Sequence, residues 1–198
     1  MRRIVILFVF SVALFIGTSA LAEEKDKPFT LTPELGYVVL TGENHEILEN
    51  SIGLGLKASY WFKKFYFEAP FLYSYHKSKN HPYEPDAKLT LLNFSPGIRL
   101  VTEKEIKGED LEIWIAPGFG VTFIDSEAST YGRKVKASDI APGFRLSIGS
   151  DYRLNKYLTV GLALSLYTAS RKVENRSGED VKESFLYQSV MGRIGYSF

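Results

Sequence analysis

The chain has 198 residues, of which 45% are hydrophobic and 24% are charged, and its 24 Lys and Arg nearly balance its 23 Asp and Glu. This length suffices for one domain with a sizeable core, and the balanced charge gives no reason to expect nucleic acid as a partner. The absence of cysteine excludes disulfides, thiol nucleophiles and thiolate metal sites.

The amino terminus has the pattern of an export signal. Arg2 and Arg3 form a short basic region, residues 4–16 form an apolar run, and small residues lead to an Ala-x-Ala sequence that ends at Ala22. The apolar run is shorter than the roughly 20 residues that a membrane-spanning helix needs. We therefore expect a cleavable signal peptide over residues 1–22, followed by one mature domain over residues 23–198.

After Pro28 the sequence alternates between apolar and polar residues in eight long runs. Each run exceeds the usual strand of about 5–6 residues and reaches the roughly 9–11 that a tilted strand needs to cross a bilayer. The predicted strands are Leu31–Thr41, Ser51–Phe62, Phe65–His76, Leu89–Val101, Leu111–Asp125, Asp139–Tyr152, Tyr157–Ala169 and Ser184–Phe198.

The two faces of each run differ in a way that predicts a membrane protein. In Ser51–Phe62, Ile52, Leu54 and Leu56 share the aliphatic face, whereas Lys57 shares the other face with glycine and serine. A soluble barrel points its aliphatic face inward and carries many charges outside. Here no ionisable residue interrupts the aliphatic face in the middle of any run. This is the pattern of a transmembrane β-barrel, in which closure also satisfies every backbone group in lipid.

The lengths of the connections predict the orientation. Short turns, such as Lys63-Lys64 and Arg153–Lys156, alternate with longer polar connections, such as Ser126–Ser138 and Ser170–Glu183. Barrels of this kind have short periplasmic turns and longer outward loops. We therefore expect both termini on the periplasmic side.

Repeated Pro-Gly motifs, at Pro96-Gly97, Pro117-Gly118 and Pro142-Gly143, and the terminal segment 192–198 are typical of one family. With these motifs the mature chain resembles the small eight-stranded outer-membrane β-barrel proteins of Gram-negative bacteria, the group of the OmpA transmembrane domain, OmpX and Ail. The resemblance implies an all-β, eight-stranded antiparallel up-and-down transmembrane barrel, surrounded by outer-membrane lipids and lipopolysaccharide.

The same resemblance implies an assembly signal at the end of the chain. Periplasmic chaperones and the barrel-assembly machinery would act on the chain during biogenesis, and the machinery would read Ile194, Tyr196 and Phe198. The prolines depart from the rules for strands because they donate no ladder hydrogen bond. We expect a local bulge or a missing hydrogen bond beside each motif proline.

Charged residues on the inward face predict that the lumen is plugged. Glu34 is expected to face Lys57 and Arg193, and Glu68 to face Lys57 and Arg99, because acids and bases alternate around the wall. Buried charges need partners, so a network of ion pairs is favoured over a small pore or a proton path. The predicted network comprises Glu34, Lys57, Glu68, Arg99, Glu112, Arg145, Asp151 and Arg193.

Candidates for catalysis are few. The histidines are His45, His76 and His81, all expected at or above the outer rim, and Ser74 shares the inward face with His76. This pair invites comparison with outer-membrane enzymes that modify lipid A, so a lipid A hydrolase or acyltransferase is the alternative function. The favoured interpretation has no catalytic residue and no cofactor, and the histidine spacing matches no known metal-ligand pattern.

The outward loops carry clusters of basic residues that could bind lipopolysaccharide phosphates or acidic polymers of the surface or a host. The sequence therefore favours a structural or surface-interaction role, either adhesin-like or in membrane integrity. The candidate contact residues are Lys77, Lys79, Arg133, Lys134, Lys136, Arg171, Lys172 and Arg176.

Overall fold

The computed structural model describes residues 29–41, 48–62, 65–79, 86–103, 111–130, 133–174 and 180–198. The predicted signal peptide lies outside these residues. No helix in the described part of the chain is long and apolar enough to span a membrane. The strands are β1 (Phe29–Thr41), β2 (Ser51–Phe62), β3 (Phe65–Lys77), β4 (Asp86–Phe94), β5 (Gly97–Glu103), β6 (Leu111–Thr130), β7 (Arg133–Arg153), β8 (Leu158–Glu174) and β9 (Asp180–Ser197).

The strands form one antiparallel sheet that closes on itself. Apart from β4 and β5, strands that follow one another in the chain pair with each other, and β9 pairs with β1 to complete the ring. The strands β4 and β5 occupy a single position in the wall, because both pair with β3 on one side and with β6 on the other. The predicted fold, a closed eight-stranded antiparallel barrel, is therefore confirmed.

The stagger of the barrel follows from the strand register. Starting from Thr30 on β1, one can step from each residue to the residue directly opposite it on the next strand, once around the ring. The path returns to β1 at Leu40, ten residues from its start. With the usual strand rise and spacing, this stagger tilts eight strands by roughly 40° and leaves a lumen that side chains can fill. Between its ends the path runs through Ser59, Glu68, Gly97, Gly118, Arg145, Tyr167 and Tyr187.

The motif prolines do not change the register. Pro96 separates β4 from β5, yet Phe94 opposes Val121 on one side of the break and Gly97 opposes Gly118 on the other, in the same register. The other two prolines lie within continuous strands. The expected bulges are therefore absent. What remains is the interruption of the wall beside Pro96, where the ring nitrogen has no hydrogen to donate.

The described residues of two predicted loops, 126–138 and 170–183, lie on strands instead. The strands β6 and β7 stay paired up to Thr130 and Arg133, and β8 and β9 up to Glu174 and Asp180. The hydrophobic alternation ends earlier because both faces of a hairpin that leaves the barrel meet solvent, whereas backbone pairing needs no apolar face. We call this the hairpin end of the barrel, and the opposite end, which holds residues 29 and 198, the short-turn end.

A band of large apolar side chains covers the outside of the barrel. Phe119, Ile52 and Leu162 are 72%, 68% and 62% exposed, although all three lie on strands of the barrel. Aromatic rings gather at the short-turn end, where Tyr157 stacks on Tyr196 with ring centroids 6.2 Å apart. A water-soluble protein rarely exposes so large an apolar surface, so the outward face has the character expected of a surface in contact with lipid.

Candidate functional site

The lumen brings the predicted charged residues together in the short-turn half of the barrel. Lys57 Nζ lies 3.6 Å from a carboxylate oxygen of Glu34 and 3.6 Å from one of Glu68. The second carboxylate oxygen of Glu68 accepts a hydrogen bond from Arg145, and both side chains are almost fully buried. Lys57 therefore has an acid on either side of it, and Glu68 joins two bases.

Asp151 joins the other two buried arginines. Its Oδ2 accepts hydrogen bonds from Arg99 and from Arg193, the latter at 2.7 Å. Arg193 also lies 3.7 Å from Glu34, so the two halves of the network are connected. Removal of charges from water is costly, and the attraction between these closely spaced opposite charges offsets that cost.

The remaining acid lies at the mouth. Glu112 is 35% exposed and is shared between Arg99 at 3.5 Å and Arg153 at 3.0 Å. Arg153 was missing from the predicted network because it was assigned to a turn, but its side chain reaches back to the rim. Glu112 thus links the buried charges to solvent at the short-turn end.

One predicted pairing differs from the structure. Glu68 was expected to face Arg99, its neighbour in the wall, but its partners are Lys57 and Arg145. Arg145 lies on β7 and reaches across the lumen to β3. The prediction paired charged residues on adjacent strands only. It missed this contact because long side chains can cross the lumen of a barrel of this width.

Trp114 lies at the centre of the buried cations. Its ring is 4.5 to 4.9 Å from Arg193, Arg99 and Lys57, within the range of cation–π attraction. The side chain is 2% exposed, and its indole N–H finds no hydrogen-bond partner among the described residues. The ring therefore fills the space between the cations and separates their positive charges.

Gly149 makes room for Trp114, which gives a testable prediction. A Cβ atom at Gly149 would lie 2.3 Å from Trp114 Cζ2 and 2.5 Å from the carbonyl oxygen of Leu162. Overpacking a close-packed interior typically costs about 1–3 kcal/mol, so Gly149→Ala is expected to lower the free energy of unfolding by that amount. Urea titration of the folded protein in lipid vesicles measures it.

Gly192 provides the matched control for this substitution. It faces outward, and a Cβ atom there would meet nothing closer than 3.6 Å. Gly192→Ala should leave stability unchanged or slightly raise it. Equal losses from the two alanines would contradict the proposed packing of the tryptophan.

The half of the lumen towards the hairpin end is largely apolar, which the sequence interpretation did not anticipate. The inward face was expected to consist mainly of glycine, alanine, serine and a few charges. In the structure, large apolar side chains meet there from all sides and form one buried cluster. The cluster comprises Val38, Leu40, Leu48, Leu72, Leu89, Leu91, Ile124, Ala141, Tyr167, Ala169, Phe185, Tyr187 and Met191.

The histidine and serine of β3 lie within this closed region. Ser74 and His76 are both 0% exposed, so the expectation of a solvated rim histidine is wrong. His76 Nε2 lies 3.0 Å from Ser74 Oγ, the distance of a serine–histidine pair. However, burial leaves this pair no route to a lipid substrate. His45 and His81 lie outside the described residues, among which no group of three or more metal-ligating side chains occurs.

The candidate surface residues are spread over the hairpin end. Lys77 and Lys136 are exposed, and Lys136 Nζ pairs with Glu127 at 3.0 Å. Lys79 is partly exposed and follows β3. Of the others, Arg176 lies outside the described residues, and the backbones of four lie on strands, namely Arg133, Lys134, Arg171 and Lys172.

The predicted assembly residues lie on the outside of β9 and at its end. Ile194, Tyr196 and Phe198 are 53%, 48% and 54% exposed. The backbone N–H of Phe198 donates to the carbonyl oxygen of Phe29 at 3.0 Å, and their rings stack. The last residue of the chain therefore helps to close the barrel between β9 and β1.

Comparison with known proteins identifies the fold. No family model and no curated protein sequence matches the chain. Among solved structures, Neisserial surface protein A has a TM-score of 0.61 at 9% identity, covering 86% of this chain and 97% of that one. Ail of Yersinia pestis has a TM-score of 0.58 at 12% identity, covering 88% and 100%.

A major outer membrane protein of Thermus thermophilus has a TM-score of 0.53 at 12% identity, covering 86% of this chain and 99% of that one. These similarities extend over 86–88% of the chain. The protein therefore has the fold of the small eight-stranded outer-membrane β-barrels.

Proposed function

We propose that this protein is an integral outer-membrane β-barrel with a closed lumen, and that its role is structural or depends on contacts made by its outward hairpins. The observation that carries the proposal is the filled lumen. Ion pairs occupy one half and apolar side chains the other. A barrel closed in this way offers its outer surface and its hairpins for function, rather than a channel.

The apolar band supports the membrane location, and the connections support the orientation. In this proposal the short-turn end faces the periplasm and the hairpin end faces outward, as in other barrels with short periplasmic turns. Lipids and lipopolysaccharide surround the band. The barrel-assembly machinery recognises the outward side chains of Ile194, Tyr196 and Phe198, which are exposed before and after closure of the ring.

The hairpins are suited to bind an acidic polymer. Lys136, Ala137 and Ser138 are all exposed, although successive side chains of a strand point to opposite faces. This part of β7 therefore meets solvent on both of its faces. One solved structure with the same fold, at a TM-score of 0.52, is Ail in complex with the heparin analogue sucrose octasulfate. We propose that basic side chains at the hairpin end of this protein bind a sulfated or otherwise acidic surface polymer.

Charge reversal at the hairpin end tests this function. In the full chain in lipid nanodiscs, Lys77→Glu with Lys136→Glu is expected to weaken binding to immobilised heparin at least tenfold. Lys156→Glu is the matched control, because Lys156 is exposed in the turn between β7 and β8. If all variants bind alike, or if the unchanged protein does not bind, the polymer-binding role is wrong and a purely structural role remains.

The filled lumen also predicts that the barrel does not conduct ions. In planar bilayers the purified protein is expected to give no large, steady conductance, because neither half of the lumen leaves a continuous aqueous path. Single-channel recording at neutral pH measures this. A stable open level in most insertions would exclude the closed lumen and favour the pore.

The lipid A-modifying enzyme is not favoured as an alternative. Ser74 and His76 have the spacing of a nucleophile and its base, but both are enclosed by the apolar cluster. A general base must reach the substrate group on which it acts. Mass spectrometry of lipid A from cells with and without the protein provides the test, and we expect identical profiles.

A further inference from the structure

Three residues before β2 form a strap across the lumen at the hairpin end. Leu48 is 6% exposed and packs into the apolar cluster. The N–H of Glu49 donates to the carbonyl oxygen of Lys77 at 2.7 Å. The side-chain oxygen of Asn50 accepts from the N–H of Leu40 at 3.3 Å. These contacts fix the strap, Leu48 to Asn50, to β3 on one side and to β1 on the other.

His76 contacts the strap from inside the lumen. Its Nδ1 lies 2.9 Å from the carbonyl oxygen of Glu49, and its Nε2 lies 3.0 Å from Ser74 Oγ. A carbonyl oxygen can only accept, so Nδ1 carries the hydrogen. In the neutral ring Nε2 then has a free lone pair and accepts the hydroxyl hydrogen of Ser74. Both ring nitrogens are thus satisfied in the neutral form.

Among the described residues, no buried charged side chain lies beside His76. Leu89 on β4 lies directly opposite, Leu40 on β1 and Leu48 on the strap belong to the apolar cluster, and the nearby residues of β2 are serine and glycine. The neighbouring charged residues are Glu49 on the strap, Lys77 on β3 and Lys88 on β4, and all three are exposed to solvent.

We propose that the strap is a proton-operated closure of the lumen at the hairpin end, released when His76 becomes protonated. Protonation would reverse the hydrogen bond, so that Ser74 Oγ accepts from Nε2, and would place a positive charge in apolar surroundings, which is costly without a charged partner. Release of the strap gives the imidazolium access to water. His76 therefore binds a proton less readily when the strap is closed than when it is open.

The direction of the pH dependence follows from this difference. Above the ordinary pKa of a solvated histidine, about 6.5, the ring is neutral in both states and the strap stays closed. Below it the open state binds a proton that the closed state resists. The equilibrium constant for opening then rises by up to about tenfold per pH unit.

Hydrogen–deuterium exchange of the full chain in lipid nanodiscs tests the proposal. The N–H groups of Glu49 and Leu40 report on the strap, because both are bonded only while it is closed. After correction for intrinsic exchange, their protection is expected to fall about tenfold between pH 7.5 and pH 5.5. Equal protection at the two pH values would overturn the proposal.

Two variants separate His76 from its neighbours. His76→Gln can still donate to the Glu49 carbonyl but cannot be protonated, so it should abolish the pH response. Glu49→Gln removes the adjacent titratable carboxylate and should leave the response intact. A response that persists in His76→Gln, or disappears in Glu49→Gln, would show that another group controls the strap.

A further variant keeps the test decisive if His76→Gln does not fold. Ser74→Ala retains the imidazole and removes the hydrogen bond to its Nε2, which stabilises the neutral closed state. The midpoint of opening is therefore expected to move to higher pH. An unchanged midpoint would contradict the assigned role of the histidine.

Discussion

Glu68→Gln is expected to lower the free energy of unfolding by about 3–5 kcal/mol, the usual cost of removing one partner from a buried ion pair. The carboxylate joins Lys57 to Arg145 at a position where all three side chains are nearly inaccessible to water. After the substitution Arg145 has no carboxylate partner among the described residues, whereas Lys57 keeps Glu34. Urea titration in phospholipid vesicles, followed by tryptophan fluorescence, measures the loss.

Two further variants distinguish an electrostatic effect from general damage. Glu112→Gln removes an acid that is 35% exposed, and it should cost less than about 1 kcal/mol, as expected for a solvent-screened pair. Arg145→Met combined with Glu68→Gln should recover much of the loss, because the unpaired buried charge is then also removed. Similar losses from Glu68→Gln and Glu112→Gln would contradict the buried network.

Leu162→Arg is expected to destabilise the protein by about 2–4 kcal/mol in vesicles, the cost of a basic residue on the lipid face near the middle of a bilayer. Leu162 is 62% exposed and lies within the apolar band on β8. In water an exposed leucine could be replaced by arginine at little cost. The size of the effect therefore reports directly on contact with lipid.

Leu154→Arg is the control for the lipid-facing substitution. Leu154 is 51% exposed, nearly as much as Leu162, but it lies in the turn between β7 and β8. Its replacement should change stability by less than about 0.5 kcal/mol, as for most surface positions. If both arginines cost the same, the band is not embedded in the bilayer as proposed.

The sequence predicted the wall of the barrel well, because one physical signal determines it. In a barrel embedded in a membrane, as proposed here, the outward face of each strand meets lipid and the inward face meets the lumen, so every second residue in the middle of a strand must be apolar. This fixed the positions of Ile52 and Leu54 on β2 and of Leu162 and Leu164 on β8. The signal disappears where both faces meet water, so the predicted ends at Asp125 and Ala169 fell short of the strand ends.

The interior was harder to predict, because its contacts cross the lumen. Alternation identified Glu68 and Arg145 as inward residues, but the pairing between them depends on the width and stagger of the ring. The apolar cluster was missed for a related reason. Leu40 and Tyr187 lie on different strands that are far apart in the sequence, and only the closed barrel brings such residues together.

His76 shows how one short contact can change the interpretation of a residue. Its place at the end of a predicted strand indicated exposure at the rim. The burial comes from Leu48 and Glu49, which lie just before β2 in a segment without hydrophobic alternation. A polar connection that folds back over the lumen leaves no periodic pattern in the sequence, so a histidine under such a cover cannot be recognised from its own strand.

The ten-residue stagger of the ring limits the ways in which this chain could close incorrectly. A shift of one residue between two strands would exchange the inward and outward faces of one of them, so closed rings can differ only by even steps. The nearest alternative at the closing contact moves β9 by two residues along β1. Glu34 would then oppose Met191 or Gly195 instead of Arg193. The buried charges therefore act as a check on closure, because a misaligned barrel would lose the contact between Arg193 and Glu34 that connects the two halves of the network.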